Sequence, residues 1–157
     1  MKFLHSVIAT FFGAGKIPGA PGTWGSIAAI PCFYFLLDKP WVHLAVLVAV
    51  YFLGVYAAGK LEQDMGEKDP SCVVIDEVLG MGVAMWAVPH QGPFLLGVNT
   101  YVIAAFVLFR IFDIWKPYPI RRLEKFSGGW GVMTDDLAAG IYAFIWVQIG
   151  IWLTHLL

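Results

Sequence analysis

The sequence predicts an all-α membrane protein: one polytopic helical domain over residues 1–157 with about five membrane segments and a short interfacial N-terminal segment. Three observations point there. Hydrophobic residues make up 59% of the chain and charged residues only 13%, with a mean hydropathy of +0.73, where a soluble domain usually carries about 25% charged residues. Residues 17–37, 40–59, 78–109 and 137–157 hold no Asp, Glu, Lys or Arg, and a span needs about 20 mostly apolar residues. The charges that remain fall in a few clusters instead of being scattered along the chain.

The elements follow in order. Met1 to Ala14 joins one lysine to an apolar stretch but lacks a clean small-residue cleavage site, so it reads as a retained segment in the interface and not as a cleaved signal. The first span runs from about Thr23 to Leu37. It is short and contains Pro31, so it either crosses with a kink or is re-entrant. Trp41 to Ala58 is the cleanest span. The run 78–109 is too long for one crossing, and Pro89-His90-Gln91-Gly92-Pro93 divides it with a turn. The third span is then about Val73 to Val88 and the fourth about Phe94 to Phe109. The fifth begins near Leu137 and reaches the C-terminus.

With five crossings, residues 1–22, 60–72 and 110–136 share one side of the bilayer. Nine lysines and arginines lie there, and only Lys39 lies opposite. Ten of the eleven carboxylates accompany them, Asp38 being the exception. Cytoplasmic loops carry the excess of Lys and Arg, so this face is expected to be the cytoplasmic one. A net charge of −1 offers no field to attract nucleic acid.

The charged face carries the chemistry. Asp76-Glu77, Asp113 and Asp135-Asp136 sit at the ends of predicted spans, where an unpaired carboxylate costs several kcal/mol. Asp135 and Asp136 could simply cap the last helix, but three such places on one face suit a hard divalent cation with oxygen ligands. Arg110 stands three residues before Asp113 on one helical face, and Lys116 precedes a helix-ending proline; both could grip a phosphate. Arg121, Arg122 and Lys125 read as a basic loop on anionic headgroups. Residues 13–26 are glycine-rich, and Gly22, Thr23, Gly25 and Ser26 could present backbone N–H and hydroxyl donors to an anion, although no Walker ending is present. Cys32 and Cys72 read as buried small apolar residues, and His5, His43, His90 and His155 as structural.

Pro18 to Ser26 (PGAPGTWGS), Asp76 to Gly80 (DEVLG), Arg110 to Pro119 (RIFDIWKPYP) and Gly131 to Gly140 (GVMTDDLAAG) together closely resemble the phosphatidylglycerophosphatase A family of bacterial membrane phosphatases. The resemblance implies Mg²⁺-dependent hydrolysis of phosphatidylglycerophosphate to phosphatidylglycerol and phosphate, in the bacterial inner membrane with the site facing the cytoplasm. Asp76, Glu77, Asp113, Asp135 and Asp136 would supply metal ligands and a base, and Arg110, Lys116 and the Gly22–Ser26 segment would hold the phosphate. The residues agree by elimination. A Cys-x5-Arg phosphatase is excluded because Val78 and Asp38 follow the two cysteines at that spacing, and no Asp-x-Asp occurs. The alternatives are a small transporter with an interfacial acidic ion site, or another metal-dependent lipid phosphotransferase, whose DGxxAR signature is missing.

Overall fold

The computed structural model describes residues 2–91, 93–95 and 98–156; Met1, Gly92 of the predicted turn, Leu96 and Gly97 of the predicted fourth span, and Leu157 lie outside them. Among the described residues the fold is all-α apart from one two-residue ladder. Helix α1 (Lys2–Ala9) leads through a 3-10 turn (Ala14–Lys16) to α2 (Pro21–Tyr34) and α3 (Pro40–Met65). Then come α4 (Ile75–Ala84), strands β1 (Phe94–Leu95) and β2 (Val98–Asn99), α5 (Thr100–Trp115), α6 (Ile120–Leu123) and α7 (Gly129–Leu156). The strands pair antiparallel, Phe94 with Asn99 and Leu95 with Val98.

Local chemistry sets the boundaries. Pro40 opens α3 at the first helical position, where no N–H is needed. Gly66 closes it in the left-handed conformation, its N–H donating to Glu62 O at 2.8 Å. The Asn99 side chain accepts the Tyr101 N–H at 2.9 Å and starts α5. The predicted fourth span therefore begins six residues late, at Thr100, because Phe94–Leu95 and Val98–Asn99 are spent on the ladder.

The short α4 lies at the centre. Ile75, Asp76, Val78, Leu79, Gly80, Met81, Gly82 and Ala84 are all buried, as expected of a helix apolar on every side. It packs against α2, α3, α5 and α7. Two glycines make this possible. A Cβ on Gly82 would lie 2.5 Å from the Phe33 ring and 2.7 Å from Leu47, while a Cβ on Gly80 would enter the Phe109 ring and come within 2.8 Å of the Asp136 carbonyl. Across the same contact a Cβ on Gly140 would lie 2.5 Å from the Gly80 carbonyl, so the α4 and α7 backbones touch. His43 is structural: it stacks on Phe33 with centroids 4.9 Å apart, and its Nε2 donates to Gly82 O at 2.9 Å.

Among the described residues two helices, α3 and α7, are long and apolar enough to cross a membrane. Helices α2, α4 and α5 have 14, 10 and 16 residues, at about 1.5 Å each too short to cross a 30 Å core alone. Five full crossings are thus not what these lengths provide. Apolar runs marked buried helices as well as spans, since both are built of the same residues. Cys32, expected to be buried, is exposed on α2, and Cys72 is half-buried.

Candidate active site

A cavity of about 360 Å³ opens where the first turns of α2 and α4, the end of α5 and the second turn of α7 meet. Its wall includes Gly22, Thr23, Asp76, Glu77, Arg110, Asp113, Lys116, Asp135 and Asp136. Nine of the sequence-predicted residues are therefore brought together.

Each has a local reason to be there. The Val74 N–H donates to Ala9 O at 2.9 Å, fixing the residue before α4, and Asp76 and Glu77 follow in the first turn. Unsatisfied N–H groups there favour negative charge. Helix α7 begins at Gly129, eight residues before Leu137, so Asp135 and Asp136 lie inside the helix and do not cap it. That early start depends on close approach: a Cβ on Gly129 would strike the Val55 carbonyl, and one on Gly131 the Phe126 carbonyl.

Asp76, Glu77 and Asp136 form the acid core of the site. Each offers one carboxylate oxygen such that all three atoms lie within 4.8 Å of one another. Asp76 Oδ1, Glu77 Oε2 and Asp136 Oδ2 are buried and have no hydrogen-bond partner. Three convergent buried carboxylates with open lone pairs repel one another unless a cation or protons intervene. Oxygen-only donors with no nearby His or Cys suit a hard divalent ion.

The other two acids are already engaged. Asp113 Oδ2 pairs with Arg110 Nη1 at 2.8 Å, and Asp135 Oδ2 accepts from Lys116 Nζ at 2.7 Å. Lys116 ends α5 in the left-handed region (φ 45°), a conformation that glycine normally takes at a helix end. The strained backbone turns the ammonium back over the cavity, 3.3 Å from Glu124 as well. Burial alone would lower the Lys116 pKa, but the Asp135 hydrogen bond and the charges of Asp135, Glu124 and Asp136 outweigh it and hold the group above the usual lysine range. It is a permanent cation.

The glycine-rich segment is split. Ala20, Pro21, Gly22 and Thr23, the first turn of α2, line the cavity. The free N–H groups of a helix start face an anion site there. A Cβ on Gly22 would collide with the Glu77 carboxylate and sit 3.2 Å from Arg110 Nη1, so any larger residue there would push the carboxylate aside. Gly25 and Ser26 stand outside. Gly25 packs against Val74, and the Ser26 hydroxyl donates to Gly22 O at 2.9 Å, satisfying itself within the helix. Asp69 and Ser71 also line the wall. Sequence reasoning missed both, because they belong to the α3–α4 loop and carry no motif beyond a local run of charge.

Comparison with known proteins matches residues 7–151 to phosphatidylglycerophosphatase A. The chain belongs to the phosphatidylglycerophosphatase A family. Among its relatives, a Bacteroides thetaiotaomicron protein named provisionally as a phosphatidylinositol-3-phosphatase is 46% identical, over 96% of each chain. The phosphatidylglycerophosphatase A of Escherichia coli is 39% identical over 86% of this chain and 76% of its own. That of Haemophilus influenzae is 39% identical over 88% and 83%. No solved structure matches the chain. The cavity-lining parts of α2, α4, α5 and α7 all lie within the stretch that matches the family.

Proposed function

We propose that the chain hydrolyses the terminal phosphomonoester of phosphatidylglycerophosphate to phosphatidylglycerol and inorganic phosphate, with Mg²⁺ as cofactor, at the cytoplasmic face of a bacterial inner membrane. The observation that carries this reading is a cavity lined both by three carboxylates that each keep a buried oxygen without a partner and by the paired cations Arg110 and Lys116. Family membership supplies the reaction. Asp76, Glu77 and Asp136 would hold the metal, which when bound neutralises phosphoryl oxygens and acidifies a water.

The chain's own residues do the rest. Arg110, steadied by Asp113, and Lys116, steadied by Asp135, hold the phosphoryl oxygens. The first turn of α2 adds backbone N–H donors at Gly22 and Thr23. The engaged acids act as positioning residues here, and the free ones act as ligands and base. Helices α3 and α7 cross the bilayer, while α2, α4 and α5 are embedded beside them, so the protein is multi-pass through these two crossings. The excess of Lys and Arg around this cavity supports a cytoplasmic orientation.

A second lipid must be tested alongside, because the 46% identical relative is named for a 3-phosphorylated inositol lipid. Purified protein in detergent is given phosphatidylglycerophosphate or phosphatidylinositol 3-phosphate, each with Mg²⁺ or with chelator. Metal-dependent phosphate release from the first lipid and not the second is the expected result. Preference for the inositol lipid would replace the substrate assignment, and equal release under chelator would remove the metal. Calorimetric titration with Mg²⁺ alone reads the ligand set without turnover.

A further inference from the structure

Helix α1 is amphipathic in an uneven way. His5 and Ala9, one turn apart, are buried against α3, and His5 Nε2 pairs with Asp64 at 2.8 Å. On the outer side Phe3 is 82% and Leu4 65% exposed. The chain then makes two left-handed residues in succession, Phe11 (φ 42°) and Phe12 (φ 56°), and leaves Phe12 83% exposed. Bulky residues rarely adopt that conformation, and a strained turn that pushes a phenylalanine outward needs an apolar environment to receive it.

The depth of this patch follows from α3. The lipid-facing row of α3 includes the exposed Val48, Phe52 and Tyr56, and the uncharged run ends at Lys60. Because α1 docks at Asp64, just past that end, it lies level with the charged end of α3, at headgroup depth if α3 spans the bilayer. The same segment grips the active site from behind. Ala9 O accepts the N–H of Val74, the residue before α4, and a Cβ on Gly15 would strike the Cys72 carbonyl.

We propose that Phe3, Leu4 and Phe12 insert into the boundary between headgroups and acyl chains, and that this lipid seat holds α1 against the 72–74 strap, positioning Asp76 and Glu77. The inference rests on the membrane reading above and adds a lipid contact that sets the geometry of the site. None of the three side chains touches substrate; they act through Ala9 and Val74.

Reconstitution into phosphatidylcholine vesicles carrying nitroxide on the acyl chains tests it. In a chain whose Cys32 and Cys72 are replaced by serine, a fluorophore on Phe12→Cys should be quenched by the chain nitroxide and shielded from aqueous iodide. A second variant, Phe3→Ser/Leu4→Ser/Phe12→Ser, should keep its vesicle flotation while kcat falls about tenfold at unchanged KM, as for acids displaced from working geometry. Phe12→Trp should retain full kcat. A label quenched by iodide in protein that floats with the vesicles overturns the lipid seat, and a floating triple variant with unchanged kcat overturns its hold on Asp76 and Glu77. Failure of the parent protein to float overturns the membrane reading, and the proposal with it.

Discussion

The two acidic dipeptides of the site look alike in sequence and stand in different settings. Asp76-Glu77 opens a ten-residue helix enclosed by its neighbours, and both residues keep a buried oxygen without a partner. Asp135-Asp136 lies in the second turn of a 28-residue helix, and its members part company. Asp135 gives one oxygen to Lys116 and the other to the Asp136 N–H at 3.1 Å, while Asp136 keeps a free oxygen for the cluster. Adjacent helical residues point about 100° apart, so the partner that each meets decides its role. Adjacency in the chain is no guide to a shared task.

The sharpest way to break this comparison is to neutralise one acid from each role. Asp136→Asn and Asp76→Asn should each lower phosphate release by at least about 10³-fold and abolish Mg²⁺ binding by calorimetry. Asp135→Asn should lower turnover less, about tenfold, and leave Mg²⁺ affinity nearly unchanged, since it removes a support and not a ligand. Equal loss of metal binding in all three would erase the distinction between free and engaged acids.

Removing the cation comes next. Lys116→Met strands Asp135 in a buried setting, at a cost of about 1–3 kcal/mol, and should lower both the melting temperature in detergent and kcat. Adding Asp135→Asn to it should restore much of the melting temperature and none of the activity, which a double-mutant cycle would resolve. Gly22→Ala should be milder in stability and specific in effect. Its new methyl pushes the Glu77 carboxylate aside, so kcat should fall about tenfold or more while the melting temperature barely moves.

The smallest effect is one of pH. The folded pKa of Lys116 lies above its ordinary value of 10.5. Its stabilising contribution is therefore complete below that value and is lost only as pH rises through the higher folded one. The melting penalty of Lys116→Met should be the same at pH 7 and pH 9. A penalty that fades by pH 9 would mean that Asp135 does not hold this lysine.

Much of the site was legible from the sequence because charge is scarce here. In a chain with so few ionisable groups, Asp76, Glu77, Arg110, Asp113, Lys116, Asp135 and Asp136 stand out, and all seven line one cavity. Helix lengths were harder to read. Hydropathy gives the same signal for a span and for a buried helix such as α4, and only Gly80 and Gly82 hinted that other helices would press against it. Capping was the alternative for Asp135 and Asp136 because the uncharged run begins after them; the helix starts earlier, where Gly129 and Gly131 let it slide beneath carbonyls. Ser26 stands outside the cavity for a different reason: a helical serine can spend its hydroxyl on the carbonyl four residues back.

The bare contact between Gly80 and Gly140 has a mechanical meaning. The helices that carry Asp76, Glu77 and Asp136 meet backbone to backbone at these two glycines. If a thinner or thicker bilayer tilts α7, α4 has to tilt with it, and the three carboxylates travel as one block. The candidate site is in effect braced by its own helices, and the spacing of its acids rests on two residues that have no side chain.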